Sequence, residues 1–75
     1  MQKHNWIRDD IVIDFPIPKF AQEMIADLEE YDANEDYSYV GWADALDVGL
    51  KEAVRRGEIT ERQWDILSAK YVEVV

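Results

Sequence analysis

Seventy-five residues, 48% apolar and 33% charged with no cysteine, suffice for one small hydrophobic core and exclude two domains or a roomy enclosed active site. Three Trp, four Tyr and two Phe exclude intrinsic disorder, and three Gly with two Pro exclude a low-complexity linker. Seventeen Asp and Glu against eight Lys and Arg give a formal charge of −9, the wrong sign for gripping nucleic-acid phosphates or anionic lipid heads.

Residues 1–17 read as an extended arm. Within it Ile11, Ile13 and Phe15 alternate, and Pro16-Ile17-Pro18 enforces extended backbone. Pro18 suits a first helical position, and Ile17, Phe20, Ala21, Met24, Ile25, Leu28 and Tyr31 recur at helical spacing, which predicts helix A over 18–31. The polar stretch from Asp32 to Ser38 predicts a loop with a helix cap at Asp36 or Ser38.

Helix B is expected over 38–56, with Tyr39, Trp42, Ala43, Leu46, Gly49, Leu50, Ala53 and Val54 as its inward stripe. Gly49 on that stripe implies close approach of a large ring, for which Trp42 and Trp64 are the candidates. Gly57 falls where a left-handed helix end is expected. Thr60 with Gln63 three residues later then forms a capping box, opening helix C over 61–71. The tail alternates weakly, so a two-stranded ribbon pairing 11–15 with 72–75 is a further option. The expected fold is mainly α, a compact three-helix single domain over 1–75 with that extended arm.

Helix B, Gly57-Glu58-Ile59-Thr60 and helix C resemble the helix, Gly-x-Ile-Thr, helix pattern of the SHOCT family of short C-terminal oligomerisation modules. The resemblance covers Leu46 to Tyr71. Each matching position is also demanded by any tight helical hairpin, so no function is carried over from it.

Charge is unevenly spread. From Phe20 to Leu50 there are nine carboxylates and no Lys or Arg. Glu23, Asp27 and Glu30 share one side of helix A, and Asp44 and Asp47 share a side of helix B. With the neighbouring Tyr37, these residues form the expected partner-binding surface. Such a face serves solubility at the least, and it also suits contact with a protein bearing a basic surface. The leading expectation is a non-enzymatic binding or regulatory protein. A narrower alternative is a nucleic-acid mimic that blocks a basic groove, as small acidic inhibitors of restriction or CRISPR enzymes do.

Asp32, Asn34, Asp36 and Ser38 match positions 1, 3, 5 and 7 of an EF-hand calcium loop between two helices, which makes a degenerate calcium module a third expectation. Tyr37 stands where that loop needs Gly, and Ala43 where it needs Glu. Catalysis is not expected. His4 is the lone histidine, Ser occurs only at 38 and 68, and no nucleophile, base and orienting group can be assembled. No cofactor is implied. No aliphatic run is long enough for a membrane span, and the start Met-Gln-Lys-His-Asn-Trp carries no apolar leader, so the cytoplasm is the expected compartment. Ile7, Val40, Val48, Ile66, Val72 and Val74 have no evident place in a three-helix core and suggest a second apolar surface, compatible with a homodimer.

Overall fold

Backbone chemistry sets the helix limits. In the computed structural model, which describes residues 2–74, Pro18 keeps extended angles (φ −54°, ψ 145°) and acts as the N-cap, so α1 runs Lys19–Ala33. Its amide-less ring starts a helix from outside as readily as from the first turn. α2 runs Ser38–Arg55, entered through a turn in which Asp36 Oδ1 accepts the Ser38 N–H at 2.9 Å. α3 runs Glu61–Leu67 behind the full capping box: Thr60 Oγ1 accepts from the Gln63 N–H, and Gln63 Oε1 from the Thr60 N–H.

α3 then widens into a π-helical turn, Ser68–Val72, closed by the Glu73 N–H on the Ser68 carbonyl at 2.8 Å. Wider turns release carbonyls from the α-helical ladder. Two are taken up from outside: the Tyr39 hydroxyl donates to the Tyr71 carbonyl at 2.7 Å, and the Arg8 N–H to that of Lys70 at 3.2 Å.

Both long helices end in the same way. At Gly57 (φ 76°) the amides of 57 and 58 return to Val54 and Ala53; at Glu35 (φ 52°) the amides of 35 and 36 return to Asp32 and Tyr31. This pairing satisfies the last carbonyls and needs a left-handed residue. Glycine adopts that geometry freely, whereas Glu35 adopts it at a cost of about 1–2 kcal/mol.

The core joins Ala21, Ile25 and Leu28 of α1 to Tyr39, Ala43, Leu46, Leu50 and Ala53 of α2, with Leu67 and Tyr71 closing it. α1 and α2 are antiparallel, and at their far end the Phe20 ring occupies the space a side chain at Gly49 would need: a β-carbon there would lie 2.7 Å from Phe20 Cε2. The ring expected from Trp42 or Trp64 is thus supplied by α1. Trp42 itself is 38% exposed, a correction to its inward assignment. It sits one position before Ala43, about 60° round from the phase of Tyr39 at 100° per residue, far enough to leave the core.

Ile7 is another correction. Although no periodicity placed it, its side chain is fully buried among the helices. No strand forms among the described residues, so the ribbon between 11–15 and 72–75 is not observed there. The amides of its C-terminal half are spent winding the π turn, while the Lys70 ammonium takes the carbonyls of Arg8 (2.6 Å) and Ile11 (2.7 Å). Val75, its last residue, lies outside the described residues.

Candidate functional site

The buried stripe of α1 is Ala21, Ile25, Leu28 and Asp32. Residues two positions on from the first three lie about 200° round the helix, at 100° per residue. These are Glu23, Asp27 and Glu30, on the side of the helix away from the buried Ala21, Ile25 and Leu28, and all three are exposed. Phe20-to-Leu50 contains no cation to neutralise them. Among the described residues none of the three lies within 4.0 Å of a Lys, Arg or His nitrogen. The fold therefore brings this predicted row together on stiff backbone.

Asp44 is exposed on α2 and is likewise unpaired among the described residues. Asp47 is not a free member of the surface. Its Oδ1 accepts the Trp64 indole N–H at 2.9 Å and its Oδ2 lies 3.3 Å from Lys51 Nζ, so it clips α3 onto α2. Lys51 also lies 5.7 Å from the Trp64 ring centroid, a cation–π distance. The carboxylate expected on the binding surface is thus engaged within the chain, because the turn after Gly57 brings Trp64 against that flank of α2.

Tyr37 is 79% exposed, with one ring face stacked on Trp6 at 5.7 Å between centroids. Trp6 in turn tilts against Tyr39 at 5.2 Å. An aromatic ladder thus runs from the core to solvent at the loop between α1 and α2. Burial, aided by the nearby Asp32 charge, raises the Tyr39 hydroxyl far above its ordinary range. Burial likewise pushes Tyr71 up to about 12, so both remain neutral donors or acceptors at physiological pH.

The calcium-loop residues go separate ways. Asp32 is 1% exposed and is turned toward the N-terminal segment. Its Oδ1 accepts the Asn5 N–H at 2.9 Å, and its Oδ2 those of Trp6 at 2.7 Å and Ile7 at 3.0 Å. The Asn5 amide returns a bond to the Asp32 carbonyl at 2.6 Å. Asp36 is engaged with the Ser38 amide, and Asn34 and Ser38 are exposed. No group of three His, Cys, Asp or Glu among the described residues has metal-holding geometry.

The Asp32 clasp is a structural site that sequence reasoning missed. One signal was present: Asp32 stands in phase with Ala21, Ile25 and Leu28, and a carboxylate on a buried stripe requires donors around it. A second acid supports the same segment. Asp9 accepts the amides of Lys3 and, at 2.9 Å, His4, and meets His4 Nδ1 at 2.6 Å. The His4 amide, helped by that of Lys3 and by the imidazole, lowers the Asp9 carboxyl to about 2.

No family model matches the chain, and searches of curated proteins and of solved structures return no significant match. The resemblance of Leu46 to Tyr71 to the SHOCT pattern therefore has no support from a family match. What the hairpin shares with that pattern is the Gly57 turn and the Thr60 box, both of which the local geometry explains. Among the described residues no helix is long and apolar enough to cross a membrane.

Proposed function

We propose that this chain is a small acidic, non-enzymatic binding protein of the cytoplasm that docks onto a basic surface of another protein through the outer face of α1. The observation that supports this reading is the row of Glu23, Asp27 and Glu30, exposed on one side of a regular helix and unpaired among the described residues. Carboxylates held by a helix are already arranged before contact, so binding forfeits little backbone entropy and gains from displaced counterions. Asp44 and Tyr37 extend the surface onto α2 and its entry turn; Asp47 belongs to the scaffold.

The test is differential capture. Immobilised wild type, exposed to a lysate of its native host, retains a protein that is released as ionic strength rises from about 0.1 M toward 1 M. The triple variant Glu23→Gln, Asp27→Asn, Glu30→Gln does not retain it. Equal capture by both chains would refute the reading. The nucleic-acid mimic is the narrower form, favoured by the regular axial spacing of about 4.5–6 Å between successive carboxylates on the row. Under it, adding the chain releases nucleic acid from the captured protein.

A further inference from the structure

α2 and its entry turn leave large apolar side chains open to solvent, Tyr37 meeting the rest of the chain through one ring face on Trp6. Tyr37, Val40, Trp42 and Val48 are four of the five large apolar side chains most open to solvent. Tyr37, Ser38, Gly41, Trp42 and Ala45 line a groove of about 560 Å³. Gly41, next to Trp42 and one turn beyond Tyr37, opens onto free space, since a β-carbon there would meet nothing within 4 Å. Gly49 on the same helix is the contrast, because its space is filled by Phe20. One glycine receives a ring from within the chain, and the other is left ready for a side chain from outside.

Register places the acids around this groove. Asp27 lies seven residues beyond Phe20, and Trp42 seven residues before Gly49. Seven residues are close to two helical turns, so Asp27 and Trp42 lie level with each other on the same flank of the antiparallel pair as the Phe20–Gly49 contact. Asp36 and Asp44 immediately precede Tyr37 and Ala45 on the α2 side. The groove is thus mainly apolar, with Asp44 one turn from Gly41 on α2, Asp27 at its level on α1, and no Lys or Arg between Phe20 and Leu50. A second copy would bring the same charges into opposition, and an anionic membrane would be repelled.

We infer that the groove from Tyr37 to Ala45 receives a basic amphipathic helix of a partner protein, with an apolar side chain seated over Gly41 and flanking Lys or Arg side chains facing Asp27 and Asp44. This rests on the proposed binding role and narrows it to a partner class. A glycine lets the incoming helix approach closely, Trp42 and Tyr37 supply rigid aromatic walls, and the surrounding acids set orientation.

The probes are a short Leu/Lys peptide that forms an amphipathic helix, its scrambled isomer, and an oligolysine of equal charge. Titration calorimetry and amide chemical shifts report binding. The amphipathic peptide is expected to bind saturably, shift the amides of residues 37–45 and bind more tightly than either control. Gly41→Leu fills the notch and weakens it by about tenfold or more. That substitution replaces glycine at an exposed helical position and so raises the melting temperature, which separates lost binding from lost folding. Asp27→Asn weakens binding about two- to fivefold and flattens its salt dependence. Equal binding of oligolysine, undiminished binding to Gly41→Leu, or self-association abolished by Trp42→Ala would overturn the inference. If the triple α1 variant loses its captured partner while Gly41→Leu keeps both partner and peptide, the acidic-row function stands and the groove fails. If neither substitution matters to either ligand, both fail.

Discussion

The two sides of α1 put carboxylates to opposite uses. On the inner side Asp32 is enclosed and its oxygens accept three consecutive backbone amides from residues 5–7. On the outer side Glu23, Asp27 and Glu30 face water with no cation in reach among the described residues. The same functional group is scaffold in one phase of the helix and interaction surface in the other, and phase alone decides which. A high acid count is therefore not a measure of the binding surface; Asp9, Asp32 and Asp47 must first be subtracted as internal acceptors.

The strongest test of that division is Asp32→Ala. Removing one acceptor orphans three N–H groups, that of Ile7 buried and those of Asn5 and Trp6 half-buried, at about 1 kcal/mol apiece. A domain of this size holds only about 3–5 kcal/mol in all, so the variant should be mostly unfolded or melt far below wild type in a urea titration. Asp32→Asn, which keeps one carbonyl oxygen, should fall between the two. Asp47→Ala is next: the Trp64 indole loses its acceptor and Lys51 its partner, for a loss of about 1.5 kcal/mol. A quenched or shifted Trp64 emission should accompany it. Wild-type stability in either alanine variant would show that the inner acids are not structural.

Sequence periodicity made the helices legible because their residues answer to local rules. The Thr60–Gln63 box and the left-handed Gly57 are complete within a few residues and appear as expected. Features that join distant segments were not legible in the same way. Ile7 has no periodic neighbours, and its burial depends on Asp32 accepting its own amide and those of Asn5 and Trp6 before it. The π turn depends on the Tyr39 hydroxyl and the Arg8 N–H donating to its displaced carbonyls, which no spacing within 68–72 encodes. Trp42 was misplaced for a simpler reason: hydrophobicity put it on the stripe, although Phe20 was the ring that reached Gly49. Of the acidic surface, the α1 row was readable from the 3.6-residue period alone, whereas the loss of Asp47 to Trp64 required the α2–α3 packing.

Glu35 sharpens the comparison from the gain side. It occupies the left-handed position after α1 that Gly57 occupies after α2. Glu35→Gly should stabilise by about 1 kcal/mol, because the left-handed strain it removes outweighs the added freedom of the unfolded chain. For a domain of this length that corresponds to a rise of about 4–8 °C in melting temperature. The outer row should respond far less. Glu23→Gln, Asp27→Asn and Glu30→Gln together should move stability by no more than about 0.5 kcal/mol, in the stabilising direction if self-repulsion is relieved. A large loss would place those carboxylates among the structural acids and remove the distinction.

Asp9 gives the smallest effect and tests the inner class by pH. Its carboxyl is lowered to about 2, chiefly by the His4 amide, from an ordinary value of 3.8. A carboxyl depressed on folding contributes stability that is fully present above the unfolded value and lost as pH falls through the folded one. Wild type should therefore exceed Asp9→Asn in urea midpoint by a constant margin above about pH 5, and that margin should shrink steadily between about pH 4 and pH 2. The site is solvent-accessible, so added salt should narrow only the part of the margin that comes from charge, leaving the part due to the Lys3 and His4 amides. A margin that instead grew on acidification would mean that Asp9 binds its proton more readily in the folded chain, and the N-terminal segment would then be held by something other than its acids.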